Sequence, residues 1–213
     1  MPDVTCIALW LTLVCVTSSC TSKPLAVSVV FENGWTLGKQ TLTDSEESLV
    51  RNTALQTLRS AYSGFNVHFS DEPSGERLIK VEDAPYRPYG PGSIVSPGAV
   101  GGTYPVTKVS SVYPDALYPI ELAAARCQDI IGCDTKTRQQ LVEGLGRGIG
   151  ATAAHELGHQ AGLHFSRDSR CDDCYDSHSA NAYVHFFGTK RWSTEALTKM
   201  RRVLPSSDLS HGS

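Results

Sequence analysis

Between residues 25 and 81, the spacing of apolar residues changes from a strand pattern to a helical pattern and back. Leu25 to Phe31 is rich in β-branched residues and ends near the turn pair Asn33-Gly34, which predicts a strand. Residues 65–69 are apolar at every second position and predict another strand, and residues 77–81 predict a third. This β-α-β-β order predicts a mixed, twisted sheet with a backing helix.

The helix between the first two strands has recognisable ends. Thr43 and Glu46 have the spacing of a capping box, with Asp44 and Glu47 as the alternative register. Gly64 is expected to stop the helix. Its apolar residues recur at helical spacing: Val50, Ala54, Leu58, Ala61, Tyr62 and Phe65.

The middle of the chain is less regular. Ten of the 21 residues at 85–105 are glycine or proline, which predicts a long loop, either a lid over a cleft or a simple connector. Val106 to Val112 alternates again and is followed by Pro114, so it predicts a short or edge strand. Residues 119–131 predict a helix that Gly132 closes.

A long helix is predicted from about Thr135 to Ala161. Four glycines, at 144, 146, 148 and 150, are unusual in a helix interior, where each costs about 1 kcal/mol relative to alanine. We interpret them as positions of close packing against the sheet. A short helix from Thr194 to Leu204 follows near the end of the chain. The apolar stripe of the long helix contains Leu141, Val142, Leu145, Ile149 and Ala153.

Length and composition fit one globular domain. The chain has 213 residues, of which 40% are apolar and 19% charged, and its net charge is −3. No basic stripe stands out, so the sequence gives no reason to expect a nucleic-acid partner. The pattern predicts an α+β fold over residues 23–213, with an upper lobe at about 23–162, a small lower lobe at about 163–205, and a monomeric state.

Residues 1–22 have the character of a leader. Cys6 to Val16 is an apolar run too short to span a bilayer, and small polar residues follow it, which predicts a secretion signal. Asp3 and the lack of a basic residue before the run argue against this, and a buried first strand or helix is the alternative. Cys20 is similar to the acylated cysteine of bacterial lipoproteins. We therefore expect a secreted or cell-envelope protein, with membrane attachment only through a lipidated Cys20.

The cysteines after the leader form two local pairs. Cys127 is near Cys133, and Cys171 is near Cys174. In an exported protein, such pairs favour disulfides. The alternative is a structural zinc site of four cysteines, although the first pair has more intervening residues than such sites usually have.

The segment His155-Glu156-Leu157-Gly158-His159 carries the strongest chemical signal. Residues i and i+4 lie on one face of a helix, so both imidazoles can bind the same zinc ion. Glu156 follows the first histidine and can act as general base toward a zinc-activated water that attacks a peptide bond. The segment therefore predicts a zinc-dependent endopeptidase that cleaves peptide or protein substrates.

The longer string His155-Glu156-Leu157-Gly158-His159-Gln160-Ala161-Gly162-Leu163-His164 resembles the metzincin clan of zinc peptidases. The resemblance implies that Gly162 ends the helix and turns the chain so that a third histidine reaches the metal. It implies His155, His159 and His164 as ligands, with Glu156 as the catalytic base. The chain departs from the clan in having one residue, not two, between Gly162 and the third histidine.

Other third ligands remain open. Asp168 and His178 are within reach along the chain, and Glu195 is the sole candidate for a gluzincin arrangement, in which a glutamate on a later helix binds the metal. The clan also has a methionine turn beneath the zinc. Here Met200 falls in a predicted helix, and residues 175–180 are the alternative for that turn.

The remaining aromatic and histidine residues have plainer interpretations. His68 is expected to face solvent from its strand, and His185 to form part of the wall beside a cleft. The aromatic residues Tyr183, Phe186, Phe187 and Trp192 are expected to be core. The alternative to a peptidase is a non-catalytic zinc-binding envelope protein with a peptidase-like fold, although such a protein has no need of Glu156.

Overall fold

The computed structural model describes residues 23–32, 34–37, 40–82, 101–104, 107–117, 120–121, 136–163, 171–177 and 181–207. Its strands in chain order are β1 (Leu25–Phe31), β2 (Thr36–Leu37), β3 (Gln40–Thr41), β4 (Val67–Ser70), β5 (Arg77–Val81), β6 (Gly101–Tyr104) and β7 (Val109–Val112). Its helices are α1 (Asp44–Ala61), α2 (Arg138–Gln160), α3 (Ala182–Phe187) and α4 (Thr194–Met200).

Five strands form one sheet in the order β4-β1-β5-β7-β6. The first four run parallel, and β6 pairs with β7 in the antiparallel direction. Strands β2 and β3 form a separate antiparallel pair that the sequence did not predict. The mixed sheet, the backing helix α1 and the long helix α2 confirm the predicted α+β fold class, and the limits of β1 and β5 match the predicted strands.

One face of the sheet is covered by α1 and α2. Alternation along the strands directs β-branched side chains to this face, where they are buried without measurable exposure or nearly so. The opposite face carries more polar residues, among them Lys80 and Glu82. The buried set on the helical face contains Val27, Val29, Ile79, Val81 and Val112.

Both long helices begin at capping boxes. Thr43 is the N-cap of α1, and its hydroxyl and the side chain of Glu46 each bind the other's backbone N–H, which confirms the first of the two predicted registers. Thr137 and Gln140 make the same exchange at the start of α2. Because Thr137 is the cap, α2 begins at Arg138 and not at 135.

The glycine row of α2 packs against helices, so the predicted packing against the sheet is wrong. Gly146 and Gly150 face α1, and a β carbon at Gly150 would lie 2.6 Å from the carbonyl oxygen of Ala54. Gly144 and Gly148 face the aromatic rings of α3. The missing side chains let α1 and α3 approach the backbone of α2, which compensates the low helix propensity of glycine.

The edge strand of the sheet is also different from the prediction. Strand β7, predicted as a short or edge strand, is short, at 4 residues, but it lies inside the sheet between β5 and β6. The edge strands are β4 and β6, and β6 comes from the glycine-rich stretch that the composition assigned to a loop. In β6, Gly101 pairs with Val112 and Tyr104 pairs with Val109. This pairing makes the stretch a strand, which its hydrophobic pattern alone did not indicate.

The C-terminal part contributes further residues to the same hydrophobic core. Phe186, Trp192 and Met200 are buried, as predicted for the two aromatic residues, whereas Tyr183 is 38% exposed and does not belong to the core. Helix α4 ends at Met200, and turns continue toward residue 203. His68 is exposed on β4, as predicted.

Several predictions lie outside the described residues. These are the leader at 1–22, the possible lid at 85–105 apart from residues 101–104, the Cys127–Cys133 pair and most of the helix at 119–131, of which residues 120–121 are helical. The division into two lobes stays a prediction. Within the described ranges, no helix combines the length and hydropathy that crossing a bilayer requires.

Candidate metal and catalytic site

His155 and His159 lie one turn apart near the C-terminal end of α2. Their ring centroids are 4.9 Å apart and the ring planes are nearly perpendicular, at 87°. Both side chains are half-buried, whereas the residues on either side of His155, Ala154 and Glu156, are buried. The helix thus presents the two imidazoles side by side on one face, as their spacing predicted.

Backbone carbonyls fix the orientation of both imidazoles. Nδ1 of His155 lies 2.7 Å from the carbonyl oxygen of Tyr175, and Nδ1 of His159 lies 3.0 Å from that of Leu163. A carbonyl only accepts, so each Nδ1 carries the proton and donates it. In a neutral imidazole the lone pair then resides on Nε2, which is the arrangement common in metal-binding histidines.

The side chain of Glu156 extends from α2 toward the edge strand β6. Its side chain is buried, its Oε2 accepts a hydrogen bond of 2.5 Å from the hydroxyl of Thr103, and the same hydroxyl lies 2.8 Å from Oγ of Ser110. A β carbon at Gly101 would lie 3.0 Å from Oε1, so glycine leaves room for the carboxyl. Burial raises the pKa of Glu156 to about 7, and the Thr103 hydrogen bond opposes that shift.

The end of α2 fixes the position of His159. Gly162 has a φ of +84°, a conformation that favours glycine, and it lies two residues past the last residue of the helix. The N–H of Leu163 then bonds the carbonyl of Gly158 at 3.0 Å, while the Leu163 carbonyl accepts from His159. The predicted role of Gly162 as the residue that turns the chain is confirmed.

A second layer of polar groups lies beside the histidines. Oγ1 of Thr152, one turn before Glu156, lies 3.2 Å from Nε2 of His185 on α3. Nδ1 of His185 lies 3.3 Å from Nζ of Lys190, and Nζ lies 5.7 Å from the centre of the Tyr175 ring. His185 is therefore beside the site, as predicted, and not among its central residues.

The structure leaves the third ligand open. His164, Asp168 and His178 all lie outside the described residues. Glu195 is on α4, where its Oε1 pairs with Lys199 at 2.6 Å on the surface. Met200 is buried in the same helix and forms no turn, as expected, while Tyr175 in the segment 171–177 contacts His155.

Sequence reasoning missed Thr103 and Gly101 as members of the site. Both were counted as parts of a glycine-rich loop, and their pairing with β7 brings them against α2. It also did not assign the carbonyls of Tyr175 and Leu163, because a backbone group carries no sequence signal. A short strand at the end of a glycine-rich loop is the sequence pattern that could have indicated Thr103. The strand that pairs with it, β7, is known only from the structure of the sheet.

Cys171 and Cys174 form a disulfide, which confirms one of the two predicted pairs. In the described part of the chain, these cysteines and Asp173 are also the single group of three metal-ligating side chains close enough to share an ion. Sulfurs bonded to each other are not thiolate ligands, so this group is not a metal site in the oxidised protein. A pocket on the outer face of the sheet, lined by Ser28, Lys80 and Glu82 among others, contains no residue of α2.

No protein-family model matches this chain, and no curated protein matches it. The fold is similar to that of a zinc-dependent peptidase from Methanocorpusculum labreanum, at 13% identity over 82% of this chain and 99% of that one, with a TM-score of 0.46. It is also similar to archaemetzincin from Methanopyrus kandleri, at 15% identity over 84% and 94% of the two chains, with a TM-score of 0.47. A likeness this weak carries no argument about activity, which depends on the residues of the site.

Proposed function

We propose that the protein is a zinc-dependent endopeptidase in which His155, His159 and His164 bind the metal and Glu156 is the general base. The proposal rests mainly on two hydrogen bonds: Nδ1 of His155 and of His159 each donate to a backbone carbonyl, at 2.7 and 3.0 Å. These contacts support the same tautomer in both rings, with the lone pair on Nε2, the atom that would bind the metal.

The chemistry of these side chains fits zinc. Imidazole nitrogen is a preferred zinc ligand, and a catalytic site needs three protein ligands with one position left for water or substrate. When bound, zinc supplies a Lewis acid and lowers the pKa of a coordinated water. Two ligands come from α2, and the third comes from the chain beyond Gly162.

Glu156 accepts and returns a proton in this proposal. The hydroxyl of Thr103 and the space at Gly101 hold its carboxyl at the side of α2 that faces β6, one residue from the first ligand. From there the carboxylate takes the proton of the attacking water and passes it to the leaving amine. A nearby divalent cation would lower the pKa of this carboxyl below about 7 and keep it ionised at neutral pH.

An extended peptide is the substrate best suited to this arrangement. Of the two edge strands, β6 is the one next to Glu156, to which Thr103 links it directly, so a peptide paired with β6 would lie across the reacting groups. Strand addition at a sheet edge supplies main-chain hydrogen bonds that hold any sequence in extended form.

His164 is the preferred third ligand because Gly162 turns the chain two residues before it. Asp168 and His178 are the alternatives. The proposal also includes export to the envelope or the exterior, by a leader at residues 1–22 or through a lipidated Cys20. The Cys171–Cys174 disulfide supports this, because disulfides persist in oxidising compartments.

The test begins with the chain expressed from Ser22, in which bound zinc and cleavage of a mixed peptide library are measured. The matched variant is Glu156→Ala, which removes the base and leaves the ligands. We expect one zinc per chain in both proteins, with cleavage lost in the variant by a factor of about 10² to 10⁴. Zinc without cleavage in either protein would favour the non-catalytic zinc-binding protein, and absence of zinc would overturn both functions.

The third ligand has its own test. His164→Ala, Asp168→Ala and His178→Ala are each titrated with zinc against a chelator of known affinity. We expect only the first variant to lose most of its affinity. Full affinity in His164→Ala, together with a loss in one of the others, would transfer the role to that residue.

A further inference from the structure

A chain of hydrogen bonds continues from Glu156 across the helical face of the sheet. Oγ1 of Thr103 on β6 lies 2.5 Å from Oε2 of Glu156 and 2.8 Å from Oγ of Ser110 on β7. Oγ of Ser110 lies in turn 2.7 Å from Nε2 of Gln160. The hydrogen-bond chain therefore leaves α2 at the proposed base, crosses two strands and returns to the last residue of the same helix.

The hydrogens in this chain all point toward Glu156. The carbonyl of Leu78 only accepts, so the Gln160 atom that lies 3.2 Å from it is the amide nitrogen, whose second hydrogen goes to Ser110. A hydroxyl has one hydrogen, and that of Thr103 goes to the carboxylate, so Ser110 donates to Thr103. Hydrogen bonds that follow one another in this way polarise each other, which strengthens the last one.

Thr103 by itself does not determine where its hydrogen goes. Its Oγ1 also lies 2.9 Å from the backbone carbonyl oxygen of Glu156, and Oγ of Ser110 is a third possible acceptor. Because Gln160 donates to Ser110, the serine hydrogen turns toward Thr103, which is closer than the Glu156 carbonyl at 3.5 Å. Ser110 is then a donor to Thr103, and the charged carboxylate is the strongest acceptor left for the threonine hydrogen.

These polar groups occupy positions that apolar residues would fill without a desolvation cost. Ser110 is fully buried on the sheet face that otherwise carries valine and isoleucine. Oε1 of Gln160 is also buried, and it has no hydrogen-bond partner among the residues that the structure describes. A buried acceptor without a partner lowers stability. Stability alone therefore does not account for this polar row beside the base.

We propose that Ser110 and Gln160 are positioning residues, which direct the hydrogen of the Thr103 hydroxyl to Oε2 of Glu156 and so hold the carboxylate for the attacking water. This inference rests on the proposed peptidase function and extends its site by two residues. In the proposed site neither residue contacts the substrate or the zinc, and both act through Thr103.

The neighbouring serine provides a matched control. Ser111 is 5% exposed, and its hydroxyl donates to Glu82 at 2.7 Å, away from α2. Ser110→Ala and Ser111→Ala therefore remove the same group from adjacent buried positions, and only the first change reaches Glu156. Ser110→Thr keeps a hydroxyl, and Gln160→Met removes the amide at similar length. Urea denaturation and bound zinc check that each variant is folded and loaded.

Peptide cleavage by the zinc-loaded full chain is the first test. We expect Ser110→Ala to lower kcat about three- to tenfold with little change in KM, and Gln160→Met to lower it by a smaller factor. Ser110→Thr and Ser111→Ala should keep kcat within about twofold of the native value. Native kcat in Ser110→Ala, or an equal loss in Ser111→Ala, would overturn the inference.

A double variant shows whether Ser110 acts through Thr103. When Ser110→Ala is added to Thr103→Val, kcat should not fall further, because the bond through which the serine acts is already absent. A purely structural effect of Ser110 would not depend on the threonine hydroxyl. The same fold-loss in both backgrounds would therefore overturn the inference.

Binding of acetohydroxamate separates this inference from the peptidase function. A hydroxamate binds zinc through two oxygens and gives up a proton, which a neighbouring carboxylate can accept. We expect its Kd, measured by calorimetry on the zinc-loaded chain, to rise about three- to tenfold in Ser110→Ala and not in Ser111→Ala. In a Glu156→Gln background, Ser110→Ala should leave the Kd unchanged.

This pattern of Kd values supports the inference even when the native protein cleaves no peptide, an outcome that would overturn only the proposed catalysis. A Kd that Ser110→Ala does not change, in a protein that cleaves peptides, would overturn the inference alone. A chain that binds no zinc would overturn both.

Discussion

The hydroxyl of Thr103 donates a hydrogen bond of 2.5 Å to Oε2 of Glu156, which joins the edge strand β6 to the helix that carries both histidines. The same hydroxyl lies 2.9 Å from the carbonyl oxygen of Glu156. A single side chain thereby sets both the position of the proposed base and the distance between β6 and α2.

Replacing Thr103 by valine keeps the shape and removes this hydrogen bond. We expect Thr103→Val to reduce kcat/KM on order of tenfold, because hydrogen bonds to charged groups contribute about 1.5–3 kcal/mol and part of that is recovered from water. Zinc content should stay at the native level, since Thr103 is not a ligand. Thr103→Ser, which restores a hydroxyl, is the matched control, and native activity in Thr103→Val would contradict the positioning role.

Gly162 is expected to resist substitution by alanine. Its φ of +84° costs an L residue about 1–2 kcal/mol, even though a β carbon there would meet no neighbouring atom. Chemical denaturation should detect this loss in Gly162→Ala. Because the turn also aims the Leu163 carbonyl at His159, zinc affinity should fall about 10- to 100-fold.

Asparagine adopts positive φ more readily than alanine, so Gly162→Asn should be milder in both measurements. Native stability and native zinc affinity in Gly162→Ala would show that the turn does not depend on glycine.

An added methyl group is also expected to destabilise the protein at the contact between α1 and α2. In Gly150→Ala the new β carbon would lie 2.6 Å from the carbonyl oxygen of Ala54 and from the β carbon of Thr57. We expect overpacking of about 1–3 kcal/mol to exceed the gain in helix propensity of about 1 kcal/mol, and so to destabilise the protein. Gly64→Ala, at a position with open space, is the control and should be neutral or stabilising in urea denaturation. Equal midpoints for the two variants would contradict the close approach.

Glu121 makes stability depend on pH. Its side chain is fully buried beside Gly144, and neither oxygen makes a hydrogen bond to a described residue. Burial raises its pKa from 4.5 to about 8, opposed in part by the nearby amide of Leu145, which is close without reaching hydrogen-bond geometry, and by the charge of Arg147. Since folding favours the protonated form, the carboxyl lowers the free energy of unfolding progressively as pH rises from about 4.5 to about 8.

Glu121→Gln removes this dependence while keeping the shape of the side chain. We expect the stability advantage of the variant over the native protein to grow between pH 5 and pH 8 and to level off above that range. Urea denaturation at several pH values measures it, with the surface variant Glu195→Gln on α4 as the control. A constant difference across the range would mean that Glu121 is ionised in the folded protein.

Local patterns in the sequence were sufficient for most of the elements. The limits of β1 and β5, the Thr43–Glu46 capping box and the end of α2 just before Gly162 all follow from interactions within a few residues along the chain. For the same reason, the side-by-side placement of His155 and His159 was predictable, because it depends only on the pitch of a helix.

Features that depend on partners distant in the sequence were not predictable. The glycines of α2 were predicted to pack against the sheet, but they pack against other helices, because spacing within a helix does not identify what packs on it. Strand β6 was missed, because its apolar content is low and its order comes from pairing with β7.

The sequence by itself determined a helix with two histidines and a glutamate at metal-ligand spacing, since those positions are set by local geometry. Only the tertiary structure decided which groups complete the arrangement: the carbonyl of Tyr175 on His155 and the hydroxyl of Thr103 on Glu156. These contacts join residues that are 20 and 53 positions apart in the chain, and they form only when the sheet, α2 and the C-terminal segment pack together.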